Sequence, residues 1–293
     1  MKKSAQAYVF LSPFLVFVTV LYILPAVLTV TMAFTSLDAS FIWRFVGLRN
    51  FNRMIRDPNT SVIILNTLKY VLICITATIS LNLFFAVMTT YFIRRERISE
   101  IFKAILMIPM ITPAVVYSVL WIWLLDASPK GMMNKLTALF FGAGPQNWIA
   151  NNPFVVVCIA TVLTSIAYGT IIFSSAIKTI PEPQFKAAQV DGASELSIVF
   201  SIILPNLRYH ISFIALWETL GLLTNYITIL LITNGGPGVR SEVWALSAYH
   251  KAFIDRQYGY GAAISLVLIV VVMILMLIIV WLGRKQGERG LLG

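Results

Sequence analysis

The side chains best suited to chemistry lie inside long apolar stretches. In "IALWETLGLLTNYITILL" a carboxylate, Glu218, precedes an amide, Asn225, by two helical turns, so on a continuous helix the two share roughly one face. Trp217 and Tyr226 flank the pair, and Gly221 between them leaves room beside the helix. In "TVLTSIAYG", Thr161, Thr164 (or Ser165) and Tyr168 follow helical spacing. Carboxylates and amides hydrogen-bond hydroxyl groups, and aromatic faces stack on apolar ring faces. This is chemistry for holding a polar solute. Such groups are costly inside a membrane and rarely face lipid. Other readings stay open at this point. Glu218 could be a carboxylate bonded to neighbouring helices or a protonated one, and the hydroxyl residues and Asn225 could serve helix packing.

The remaining inventory is poor in catalytic groups. Cys74 and Cys158 each sit inside an apolar run and read as small buried hydrophobes. His210 and His250 are the only histidines, too few for an ordinary zinc or haem site. An intramembrane enzyme would need a His-, Ser- or Asp-based constellation within the spans, and Glu218 is the one mid-span carboxylate.

The elements that position these groups are membrane spans. The 293 residues are 59% hydrophobic and 12% charged, against roughly 25% charged in a soluble domain. Apolar stretches of about 20 residues or more fall at Tyr8–Phe34, Ile63–Tyr91, Phe102–Leu125, Pro153–Ala176, Ile211–Ile232 and Ala262–Leu282. The expected fold is all-α and integral to the membrane, one transmembrane domain over residues 1–293 with six spans. The first stretch is too long for a signal peptide and reads as an uncleaved span. The net charge of +10 would suggest nucleic acid in a soluble protein. Here the basic residues lie between spans, so lipid headgroups are their expected neighbours. They are densest at Lys2-Lys3, Arg94–Arg97 and Arg284-Lys285, which places both termini in the cytoplasm.

With that orientation residues 178–210 form a cytoplasmic loop containing "FKAAQVDGASELSIVFSIILP". Glu182–Val190 is expected to form a short helix, interrupted by the turn pair Asp191-Gly192. Asp191 or Ser194 is placed to cap a second helix. Leu196, Val199, Phe200 and Ile203 would then share one apolar face, and Pro205 would limit continuation. An apolar face outside the membrane must be covered, by the protein's own helix ends, by the headgroup layer, or by a cytoplasmic partner.

The segment "IPEPQFKAAQVDGASELSIVFSIILPNL" resembles the EAA loop of ABC-importer permeases. Ala187, Ala188, Asp191, Gly192, Ala193, Leu204 and Pro205 match it, while Lys186 replaces the usual glutamate. "FVGLRNF", "NTLKY", "LITNGGPG", "YHKAF" and "YGYGAA" are similar to segments of the maltose-type carbohydrate branch, specifically the first permease of a heterodimeric pair. The resemblance implies several partners. They are a second permease, two copies of a cytoplasmic ATP-binding subunit, and a periplasmic or lipid-anchored solute-binding protein. The setting is the cytoplasmic membrane of a bacterium or archaeon. ATP and magnesium would be used by the ATPase, with no cofactor on this chain. Lys186, Ala187, Ala188, Asp191, Gly192, Ala193 and Leu196 would then meet the ATPase. Glu218, Asn225, Tyr168, Thr161, Thr164, Trp217 and Tyr226 would line the path of a sugar. A polyol or glycerol phosphodiester is the alternative cargo. A phosphate favours cations, and no Lys or Arg lies mid-span.

Overall fold

In the computed structural model, backbone is described for residues 2–93 and 95–290 and side chains for residues 10–93 and 95–277. Several side chains used in the charge argument, those of Lys2, Lys3, Arg94, Arg284 and Lys285, lie outside the described ones. The main elements in chain order, a single-turn helix at Trp148–Asn151 aside, are α1 (Phe10–Ala33), α2 (Arg49–Arg56), α3 (Thr60–Phe92), α4 (Glu96–Ile111), α5 (Ala114–Leu124), α6 (Met132–Phe141), α7 (Pro153–Lys178), α8 (Glu182–Val190), α9 (Glu195–Thr224), α10 (Ile227–Ile232), α11 (Trp244–Tyr249) and α12 (Tyr258–Gly290). Five helices of the described residues are long and apolar enough to cross a membrane; the bent pair α4–α5 makes six. The chain divides into two compact units, Met1–Val62 with Trp244–Gly293, and Ile63–Val243.

In the first unit α1 carries a π turn at Thr19–Ile23, which ends two residues before Pro25. Proline lacks the N–H of a regular helix and its ring crowds the preceding turn, and a wide turn accommodates both. Ala33, Ala262 and Ala263 are buried together against Met32, Phe34, Phe51 and Leu266. Small residues let the backbones of α1 and α12 approach closely. The "YGYGAA" stretch goes further. Gly259 donates its N–H to the Leu37 carbonyl at 2.8 Å, and a Cβ on it would overlap the Thr35 carbonyl. Asn50 of "FVGLRNF" ties α2 to the end of α1, donating to the carbonyls of Ala33 and Thr35 at 2.9 Å each.

In the second unit α9 packs on α3 and α7 through Ala86, Phe173, Ile177, Ile203, Leu207 and Ile214. The expected third span, Phe102–Leu125, is not one rod: α4 and α5 meet at 97°. Thr112 is extended (ψ 127°), as steric clash with Pro113 requires of the residue before a proline. Asn66 of "NTLKY" reaches the loop after "LITNGGPG", donating to the carbonyls of Val239 at 2.8 Å and Glu242 at 3.2 Å. Two of the motif segments are thus packed together, by an amide holding irregular backbone in place.

Asn134, at the start of α6, does the same for the loop between α5 and α7. Its amide N–H group donates to the carbonyls of Asp126 (3.0 Å), Ser128 (3.1 Å) and Gln146 (3.1 Å). Its oxygen accepts from the Gln146 N–H (3.1 Å) and Trp148 Nε1 (2.7 Å). In the same loop Asp126 is held below the usual carboxylate range by the side-chain and backbone hydrogen bonds of Ser128. Replacing Asn134 by leucine strands several buried polar groups. The expected cost is about 3 kcal/mol, seen as a lowered thermal-unfolding midpoint of the purified chain.

Candidate functional site

The loop between α7 and α9 is built from local rules. Pro181 precedes α8 and Glu182 stands in its first turn, where the helix dipole favours a carboxylate. Lys186 pairs with Glu182 one turn earlier at 3.0 Å, both side chains largely exposed. Such a pair contributes at most about 0.5 kcal/mol, so Lys186 is not a structural anchor. At the other end Gly192 has φ +76°. The Ala193 N–H donates to the Ala188 carbonyl at 2.9 Å and the Gly192 N–H to the Gln189 carbonyl at 3.1 Å. This double closure with glycine in the left-handed region is a Schellman cap. Asp191 therefore ends α8, and it is Ser194 that caps α9, its Oγ accepting from the Ser197 N–H at 3.2 Å.

The turn is held to the rest of the unit by several contacts, among them the Asn206 amide donating to Gln184 Oε1 at 3.4 Å. Phe185 stacks on Tyr91 at the end of α3, with ring centroids 5.7 Å apart, and the Tyr91 hydroxyl donates to the Glu195 carboxylate. The expected apolar stripe is corrected here. Val199–Ile203 is a π turn, so residues five apart align, and Ile198, Val199, Ile203 and Leu207 are the buried set. Leu196 and Phe200 face outward, each 66% exposed, beside Val190 at 87%. The same wide turn accommodates Pro205, and α9 runs on to Thr224 instead of ending there.

The span expected at Ile211–Ile232 is corrected as well. The helix stops at Thr224, Asn225 is extended (φ −72°, ψ 114°), and α10 begins at Ile227. Thr224 Oγ1 donates back to the carbonyls of Leu220 (3.0 Å) and Gly221 (3.2 Å), a local bond that competes with the helical ladder. Asn225 is therefore not on a helical face with Glu218. Its amide donates to the Tyr70 hydroxyl at 3.0 Å, and that hydroxyl lies 3.0 Å from Thr161 Oγ1. Asn225, Tyr70 and Thr161 join the broken end of α9 to α3 and α7. Glu218 stands apart, half-buried, facing Ser165 of α7.

The other expected residues scatter. Thr164 Oγ1 donates to the Thr161 carbonyl at 2.8 Å. Tyr168 is half-buried and packs against the Phe173–Ile203 core. Trp217 is exposed and Tyr226 half-buried. Spacing alone gives Tyr70 no role, although it closes "NTLKY" one turn after Asn66. Tyr70→Phe leaves the Asn225 amide and the Thr161 hydroxyl without their shared partner. The expected loss is about 1–3 kcal/mol, read as a lowered thermal midpoint.

A break inside a span exposes backbone groups that lipid cannot satisfy, so it occurs where protein or a solute cavity covers it. That geometry suits a transporter. Residues 82–288 match the family model described as the binding-protein-dependent transport system inner membrane component. The chain belongs to this family. It is a transport subunit, not an enzyme. Among the permease's relatives is a probable ABC transporter permease protein of Pyrococcus horikoshii, 28% identical over 263 residues, covering 87% of this chain and 88% of the relative. The trehalose/maltose transport system permease protein MalF of Thermococcus litoralis is 27% identical over 270 residues, 90% of this chain and 88% of its own. The sn-glycerol-3-phosphate transport system permease protein UgpA of Escherichia coli O157:H7 is 27% identical, with 88% and 87% covered. In fold, the permease matches a chain from a bacterial alginate ABC transporter crystallised with an alginate pentasaccharide-bound periplasmic protein. The TM-score is 0.84 with 17% sequence identity, over 97% of this chain and 96% of that one.

Proposed function

We propose that the permease is one half of the membrane pore of an ATP-driven importer for a sugar or oligosaccharide. Residues 1–293 act as one transmembrane domain with both termini in the cytoplasm of a bacterium or archaeon. A second permease completes the pore. Two ATP-binding subunits consume ATP and magnesium, and a periplasmic or lipid-anchored binding protein delivers the solute. The carrying observation is the rigid turn at Gly192 with Val190, Leu196 and Phe200 uncovered around it. Exposed apolar groups on a short capped helix pair suit a protein socket. A stiff element bonded to α3 and continuous with α9 transmits displacement, which a flexible linker would absorb. Ala187, Ala188, Asp191, Ala193 and the Lys186 side chain then lie at the ATPase surface.

In this reading the solute passes beside the α9 break. Glu218, Asn225 and Thr161 present groups for sugar hydroxyls, Trp217 and Tyr226 offer stacking faces, and Thr164 and Tyr168 shape the α7 side. Import of a polyol or a glycerol-phosphate-type solute is the second reading, which the similarity to the sn-glycerol-3-phosphate permease UgpA supports. Glu218, an acid within the α9 span, favours a neutral sugar over a phosphate. Co-purification of the tagged chain from its native membrane, with mass spectrometry of what accompanies it, tests the assembly. A second permease and an ATP-binding subunit are the expected companions. A chain recovered alone and active without ATP would overturn the proposal.

A further inference from the structure

A cleft of about 900 Å³ on the first unit is lined by Arg49, Asn52, Arg53, Arg56 and Asp57, with Leu48 on its apolar side. Three guanidinium groups face one carboxylate, so the cleft is cationic. Its depth relative to the membrane follows from two contacts. Arg53 lies over the Tyr260 ring, 4.2 Å from its centroid, and Tyr260 is in the first turn of the span that begins at Tyr258. Asn50 holds α2 to the carbonyls of Ala33 and Thr35, where the span Phe10–Ala33 ends. Arg53 thus sits at the start of one span, Arg49 adjoins the residue bonded to the end of the other, and Arg56 follows two helical turns along α2. That is the headgroup layer.

The surroundings agree. Phe45 is 80% exposed and Ile55 75%, and Phe41, Trp43 and Leu48 are exposed beside them. A helix with basic residues and uncovered apolar ones, at the level of span ends, lies in an interface. Trp43, 52% exposed, matches the aromatic belt found at that depth. The ion pairs formed by Lys and Arg among the described residues lie elsewhere, Lys186–Glu182 and Lys251–Asp255. We propose that Arg49, Arg53 and Arg56 bind the phosphate of an anionic phospholipid headgroup, whose acyl chains cover the neighbouring apolar side chains. Arginine suits this role because its planar fork presents several donors to phosphate oxygens. An acidic protein surface would also be drawn to the charge. The depth of Arg53 favours the anion that resides in that layer.

The test is native mass spectrometry of the full chain, purified with the subunits that accompany it and titrated with phosphatidylglycerol or phosphatidylcholine. Phosphatidylglycerol is expected to bind in preference. R49Q/R53Q/R56Q should weaken it by about tenfold or more overall, whereas K69Q/K130Q/K135Q, with the same change in charge, should keep the preference. R49Q/R56Q leaves Arg53 on Tyr260, and is expected to lose affinity by an intermediate factor even if the triple variant folds poorly. An equal loss in both triple variants would overturn the site. So would inorganic phosphate binding as well as the lipid, which would assign the cleft to a free anion. An unaltered lipid preference with lost response to a solute-binding protein would assign the arginines to a protein surface instead.

Discussion

Gly192→Pro is expected to give a chain that inserts and assembles but no longer couples ATP hydrolysis to solute delivery. Gly192 holds φ at +76°, and proline is locked near −65°. Proline also lacks the N–H that Gly192 donates to the Gln189 carbonyl at 3.1 Å. Holding a residue in so unfavourable a backbone region costs on the order of 2–3 kcal/mol, enough to depopulate the native turn roughly a hundredfold. The loss is confined to the turn, because no atom lies within 4 Å of a Cβ placed on Gly192. Gly192→Ala is the graded control. It keeps the N–H and meets no steric block, so only the left-handed strain of about 1–2 kcal/mol remains. The readout is ATPase activity of the reconstituted transporter with and without loaded binding protein. Stimulation should fall steeply for proline and partly for alanine. Normal stimulation in Gly192→Pro would remove the turn from the coupling path.

Glu218→Gln is expected to lower solute uptake about tenfold or more while leaving assembly unchanged. Glutamine keeps the shape and most of the packing but removes the charge, so what disappears is a charge-assisted hydrogen bond, about 1.5–3 kcal/mol. The group faces Ser165 and is only half-buried, leaving part of the carboxylate free for a solute hydroxyl. Uptake of labelled sugar and yield of the assembled complex separate the two roles. Lost assembly would mark Glu218 as a packing carboxylate, and unchanged uptake would do so equally.

The spans were legible because the membrane imposes a simple rule on composition: long uncharged runs have nowhere else to go. The boundaries of α8 were legible for a similarly local reason. A proline before it, Asp191-Gly192 after it and a serine cap behind that dictate backbone angles within a few residues. The motif segments were recognisable as strings, but their purpose was not. Asn50 and Asn66 proved to hold irregular backbone, and Gly259 to admit a carbonyl from another part of the chain.

What the sequence determined by itself was therefore an all-α membrane protein of about six spans, with a capped helix–turn–helix in residues 178–210 and polar groups in its fourth and fifth spans. Tertiary structure decided the rest. It bent the third span by 97° at Thr112-Pro113, opened a π turn ahead of Pro205, and stopped α9 at Thr224. Periodicity assumes a continuous helix, and each of these breaks resets the register. Asn225 left the face of Glu218 for Tyr70, and Phe200 turned away from Ile203. Such choices rest on contacts between residues far apart in the chain, as between Asn225 and Tyr70, and local spacing carries no information about them.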